Sequence, residues 1–372
     1  MKKTLSILAL LVLASYARPA AAELKFGGDA SIRLRGQFQD KGADNNEDDL
    51  LFQYRVRLNA SADLGSGYVF KAVIGNEAPN LKSDGTVAPG GGGGWQTVGS
   101  ANTERYTLGV YQFYFGRNLE ESHYYAGRLP LNSTNNPVFD LALYPSQPLD
   151  LPVNTLNNDR LFGFTYGRKI GPGELNAVVG VFDNDSKDDK AGEGDGLFND
   201  GYVLSLAYKT ALGSVTVEPQ IFTALTNHSV FNQDLSAFAG SITPVTFGAN
   251  VSVPAGKAKI GVSAFYTSAD DTTPGSGESV DYSGYLFRLK AESGPFLAWY
   301  DYNRTTDRSG TADVDYTNQF VWAQYKIKLY EAASGSFSLT PTLRYLASKK
   351  DNGTVETDTS RLRTELYATV TF

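Results

Sequence analysis

The sequence predicts an all-β fold: a transmembrane antiparallel β-barrel of about 16 strands, with short turns at one rim and long loops at the other. Three observations predict it. Residues 361–372 alternate: Leu362, Leu366, Ala368, Val370 and Phe372 share one face, and Arg361, Arg363, Glu365, Tyr367, Thr369 and Thr371 share the other. That period of two marks a strand with one apolar and one polar side. Alternating segments of about ten residues recur along the chain, the length a tilted strand needs to cross a bilayer. Beyond residue 22 no stretch is long and continuously apolar, which excludes transmembrane helices.

The chain begins with what reads as an export leader, residues 1–22. Lys2 and Lys3 form a basic start, residues 5–14 a short apolar run, and Ala20, Ala21 and Ala22 a small-residue cleavage site. Residues 23–372 are then one pore domain. Losing Lys2, Lys3 and Arg18 takes the formal charge from −7 to −10. There is no Cys, which rules out a disulfide scaffold, thiolate metal sites and Cys nucleophiles. Abundant Tyr (22), Phe (21) and Gly (38) fit an apolar outside around a wet inside. Composition alone fits a large soluble β protein equally well.

The first strand is expected over 25–37, with Ala30, Ile32, Leu34 and Phe38 opposite Ser31, Arg33, Arg35 and Gln37. The second, over 51–62, sets Phe52, Tyr54, Val56, Leu58 and Ala60 against Gln53, Arg55, Arg57, Asn59 and Ser61. A tight turn at 63–67 leads to a third, 68–75, with Phe70, Ala72 and Ile74 opposite Lys71. Further short turns fall at 116–122, 170–173, 210–214, 254–257, 292–295 and 330–335. Long loops fall at 77–104, 132–159, 183–200, 227–242, 269–281, 305–313 and 349–358. This rhythm gives sixteen strands, an even number with both chain ends on the short-turn side. No linker and no shorter repeat divides the chain.

Taken together, the leader, the turn-and-loop rhythm and the terminal Phe372 make the chain similar to the Gram-negative porins. The resemblance covers essentially the whole mature chain and is architectural. It implies a water-filled channel for small hydrophilic solutes in an outer membrane of lipid and lipopolysaccharide, with short turns toward the periplasm. It also implies insertion machinery that reads Phe372, and a homotrimer or a monomer. Neither a cofactor nor a nucleic-acid partner is implied.

Two features could set selectivity. In porins of this kind the third external loop folds inward, and loop 132–159 holds that position here. Its prolines at 137, 145, 148 and 152 would stiffen it. Pro137-Val138-Phe139-Asp140 loosely echoes the family's acidic constriction motif, so Asp140 is the acidic candidate. The second feature is basic. Arg33, Arg35, Arg55, Arg57 and Lys71 lie on the polar face of the first three strands, and Arg361 and Arg363 on that of the last. A closed barrel makes them neighbours. Charges on the lipid face would cost about 2–4 kcal/mol each at midplane, so they belong to the lumen. There they either concentrate anions or pair with carboxylates and stiffen the wall. Arg288, Lys290 and Arg344 are expected to face inward further round.

Other motifs weigh less. The acidic stretch 183–200 fails the twelve-residue calcium pattern, with Lys187 at its third ligand position and Gly194 where the closing Glu belongs. The glycine run 90–94 lacks the Lys of a phosphate loop. Aromatics near strand ends, among them Tyr111, Tyr114, Tyr125 and Trp299, are expected in interfacial girdles. Phe222, Trp299 and Trp322 are also candidates for the lumen. The two histidines, His123 and His228, fall at opposite rims, which argues against a Ser–His hydrolase.

Overall fold

Alternation along each strand becomes the two faces of one continuous wall. A computed structural model describes residues 23–42, 46–76, 95–98, 108–130, 136–149, 160–183, 201–225, 243–272 and 279–372. The leader, the acidic stretch 184–200, the glycine run 90–94 and His228 lie outside the described residues.

Among the described residues, eighteen strand segments are joined in one antiparallel sheet that closes on itself. They run β1 (Glu23–Asp40), β2 (Asn46–Gly65), β3 (Tyr68–Gly75), β4 (Gln96–Thr97), β5 (Gly109–Asn118), β6 (Ser122–Pro130), β7 (Arg160–Ile170), β8 (Gly173–Asp183) and β9 (Gly201–Leu212). After these come β10 (Val215–Ala224), β11 (Val245–Ala255), β12 (Ala258–Thr272), β13 (Ser279–Ser293), β14 (Phe296–Asp307), β15 (Val314–Tyr325), β16 (Ile327–Ala332), β17 (Gly335–Asp351) and β18 (Glu356–Thr371). They make sixteen staves in the usual sense. β4 is a two-residue graft on β2, and β15 and β16 are one stave interrupted at Lys326, both paired with β17.

The expected tight turns all appear, between β2 and β3, β5 and β6, β7 and β8, β9 and β10, β11 and β12, β13 and β14, and β16 and β17. The first of these bends most sharply. Gly65, Ser66 and Gly67 all take positive φ, and a Cβ at Gly67 would overlap the Asn118 carbonyl.

Closure is made by β1 and β18, in register from Asp29 opposite Thr371 to Asp40 opposite Ser360. At the seam the Gly28 amide donates to the Phe372 carbonyl (2.8 Å) and the Phe372 amide returns the bond (3.1 Å). With every strand paired, no backbone edge is left facing hydrocarbon. The lipid side carries Ile32, Phe52, Val56, Phe115, Phe164, Phe247, Leu343, Leu366 and Val370, all exposed. The residues between them point in, some of them fully buried, with Arg33 and Arg35 at 3% exposure each. The inside-out assignment of β1, β2 and β18 read from the sequence therefore holds.

Part of the lumen is occupied by the chain itself. Helix α1 (Val138–Leu143) lies inside the barrel against β10, β11, β12 and β13. Val138, Phe139, Leu141 and Ala142 bury against Phe222, Phe265, Val280, Tyr282 and Leu286 of that wall. Phe139 meets the Phe222 ring edge-on at 5.3 Å. The small helix has neither the length nor the capping bonds to stand alone; burial of its apolar residues holds it.

Candidate pore constriction and selectivity wall

Residues 136–149 run along one side of the lumen and are tied to the wall strand by strand. Asn136 Nδ2 donates to Gln220 Oε1 on β10 (2.7 Å), and Asn250 Nδ2 on β11 donates to Asn136 Oδ1 (3.3 Å). Past the helix, Thr305 Oγ1 on β14 donates to the Pro145 carbonyl (2.5 Å), and Asn318 Nδ2 on β15 donates to the Ser146 carbonyl (2.7 Å). Gln147 Nε2 donates to Ser348 Oγ on β17 (2.8 Å). The described part of the third long loop, residues 136–149, thus folds inward as the resemblance implied. These bonds reach as far as β17, and none of them falls on β18, β1 or β2.

That remaining wall carries the arginines, and strand register orders them. Take the inward positions of β1 as rungs. Arg361 lies opposite Gln39, Arg363 opposite Gln37, and Arg35 opposite Glu365. Arg33 lies opposite both Tyr367 and Gln53, Arg55 opposite Ser31 and Arg57 opposite Asp29. A guanidinium therefore occurs on each of six successive rungs. They span ten residues of strand, about 33 Å at the usual rise. Arg344 on β17 adds a seventh beside Arg363.

Two buried carboxylates pair with five of these seven cations, and the exposed Glu47 and Asp49 of β2 lie on the rungs of Arg361 and Arg363, opposite Gln39 and Gln37. Glu365 Oε1 accepts from Arg35 Nε (2.5 Å), with Arg33 and Arg344 at 3.7 and 3.4 Å. Asp29 accepts from Arg57 Nε (2.8 Å), with Arg55 at 3.6 Å. Neutral groups hold others: Arg363 Nε donates to Gln37 Oε1 (2.8 Å), and Arg33 Nε to Gln53 Oε1 (2.8 Å). Several of these arginines thus pair and brace the wall, yet the positive charge exceeds the negative charge in contact with it.

The other candidates fall elsewhere. Lys71 sits opposite Ser61, four residues nearer the periplasmic turn than the rung of Arg57. It lines a separate recess with Tyr114, His123 and Tyr125. Asp140 is not an open constriction carboxylate: it is 5% exposed, on the wall side of α1, and acts on Arg288 of β13. Arg288 is itself held by Asp301, at 2.6 and 2.8 Å. Asp140 is therefore buried within the apolar packing that seats the helix, not placed across the water from the arginines.

Sequence reasoning placed several aromatics in the girdles that belong to the lumen. Tyr111 is buried against Arg55, and Tyr114 shares the inward face with Lys71. The lumen candidates Trp299 and Trp322, by contrast, do face inward as the sequence suggested, stacked in parallel 4.7 Å apart. The signal was present: Trp299 has the parity of Asp301, Asn303 and Thr305, which is the polar face of its strand. Trp95 gave no such signal, because it precedes a graft that only the fold places. The Val98 amide donates to the Phe52 carbonyl (2.8 Å) and Gln53 Nε2 to Thr97 Oγ1 (3.0 Å), which brings the indole over the wall.

A family model of the Gram-negative porins matches residues 9–331. The chain belongs to that family. This porin shares its fold with solved outer-membrane barrels. One is an anion-selective porin from Comamonas acidovorans: 12% identity, TM-score 0.56, covering 94% of this chain and 99% of the other. Another is the outer-membrane expressed OmpT of Vibrio cholerae, at 13% identity and TM-score 0.55, covering 96% and 99%. The same Vibrio cholerae protein folded in vitro, in trimer form, matches at 12% identity and TM-score 0.53 over 93% and 99%. No curated protein matches the sequence. Family and barrel together make the chain an outer-membrane channel.

Proposed function

We propose that this porin conducts small anions in preference to cations, by passive diffusion along its arginine wall. The observation that carries the reading is the unbroken order of guanidiniums on six rungs of β1, β2 and β18. Aligned cations along a low-dielectric wall concentrate anions in the pore and repel cations. Net acidity of the whole chain does not oppose this, since exposed charges more than about 8–10 Å away are screened at physiological salt.

A substrate-selective channel for anions such as phosphate is the second reading, and the ordered ladder favours it. Short sugars have less behind them, because the indole faces of Trp95 and Trp322 already carry guanidiniums. The reading includes no catalysis: His123 is engaged by Glu174 at 3.6 Å and stacked on Tyr125. A homotrimer, contact with lipopolysaccharide and recognition of Phe372 by insertion machinery complete the proposal, as does removal of the leader at residue 22. The trimer form of one similar structure supports the first of these.

The test is the reversal potential of purified protein in a planar bilayer under a potassium chloride gradient. Anion bias that shrinks in the R361Q/R363Q variant supports the wall as the filter. Cation bias in the wild type would overturn it.

A further inference from the structure

Tryptophan in a membrane barrel normally sits at the lipid interface, where its ring is apolar and its N–H meets water. This chain has three tryptophans, and all three face the lumen. Each lies against arginine. The guanidinium of Arg33 is 4.2 Å from the centre of the Trp95 ring and that of Arg55 is 4.8 Å from it, while Tyr367 meets the ring edge-on at 5.4 Å. Across the lumen wall, Arg344 lies 4.6 Å over Trp322. Trp322 stacks on Trp299 at an interplanar angle of 10°, and Arg288 lies 5.4 Å over Trp299.

We infer that Trp95 and Trp322 are specificity-determining residues of the channel, neutral supports that fix luminal guanidiniums without cancelling their charge; Trp299, whose Arg288 is paired with Asp301, is the platform on which Trp322 stacks. This rests on the anion-channel reading and extends it. A long arginine among like charges needs something to hold it, because repulsion and side-chain entropy both drive it away from its neighbours. A carboxylate can do so, as Glu365 and Asp29 do, but each carboxylate removes one unit of positive field from the pore. An indole face attracts a guanidinium through its ring quadrupole and carries no net charge. The cation stays in place and its field stays in the water. Arg33 and Arg55 show the use of this, for they occupy the two rungs between Asp29 and the Glu365 rung. Two more carboxylates there would leave the middle of the wall close to neutral.

The discriminating variants are W95L and W95F: both are apolar and smaller than Trp, but W95L removes the π face and W95F keeps one. Folding of each is checked by the heat-dependent mobility shift of barrels on SDS gels. In chloride gradients W95L should lower the anion-to-cation permeability ratio about threefold, the size of effect expected for one cation–π contact. W95F should stay near the wild type. If W95L leaves the ratio unchanged or raises it, the ring is only a plug and the inference is wrong. If W95L does not fold, W322L removes the support under Arg344 and leaves the Trp95 graft intact, with the same expected and overturning results. Wild-type protein with no anion preference sinks the channel reading first and this inference with it; an anion-preferring wild type with an indifferent W95L sinks this inference alone.

Discussion

The β17–β18–β1–β2 side of the lumen carries seven guanidiniums braced by the buried carboxylates of Asp29 and Glu365, while the β10–β13 side carries Phe222, Phe265, Tyr282 and Leu286 under helix α1. Both walls obey the same alternation, and both are buried on their inner face. They differ in what buries them. The arginine side is packed against its own neighbours across strands, through charge-assisted hydrogen bonds and aromatic rings. The opposite side is covered by a segment from outside the barrel, through apolar contact and a chain of single hydrogen bonds. An inward-facing position in a barrel is thus not polar by rule. It is apolar wherever another part of the chain lies on it, and the pore is pushed toward the side left uncovered.

The largest expected effect comes from removing the one carboxylate shared by three arginines. E365Q leaves Arg33, Arg35 and Arg344 without their common anion, and losing one partner of a buried ion pair costs about 3–5 kcal/mol. Its unfolding temperature on heated gels should fall, yet its anion preference in bilayers should rise. A fall in both would break the distinction between bracing and field. On the covered wall the expectation is reversed. L141A empties a fully buried site and should cost about 2–5 kcal/mol. It should loosen the loop and raise single-channel conductance, with the permeability ratio little changed.

Smaller effects sharpen the comparison. N318A removes one donor to the Ser146 carbonyl and should cost about 1 kcal/mol, seen as more frequent brief transitions in current records rather than a new mean conductance. D140N should have the smallest effect on the reversal potential, because Asp140 is buried beside Arg288 and not exposed to the pore water. A shift as large as that of R361Q/R363Q would return Asp140 to the constriction.

Much of the fold was legible in the sequence because its cause is local. Period-two alternation and turn residues act within a few positions, so the tight turns, the sixteen staves and the inward side of β1, β2 and β18 could all be read directly. Side-chain parity also put Arg33, Arg35, Arg55, Arg57, Arg361 and Arg363 in the lumen. Aromatics were harder, since a Tyr or Trp at a strand end suits the interface and the lumen alike by composition; only the polar company of Trp299 separates the two.

By itself, then, the sequence determined which side chains face inward and that their charge is positive, because those follow from spacing along one strand. The tertiary structure decided their order, since the rungs exist only when β18 closes on β1 in a single register. It also decided which wall α1 covers, and that Trp95 reaches Arg33 and Arg55. Those contacts join residues 20 to more than 300 positions apart, and no local period encodes which of many such pairings has the lowest free energy.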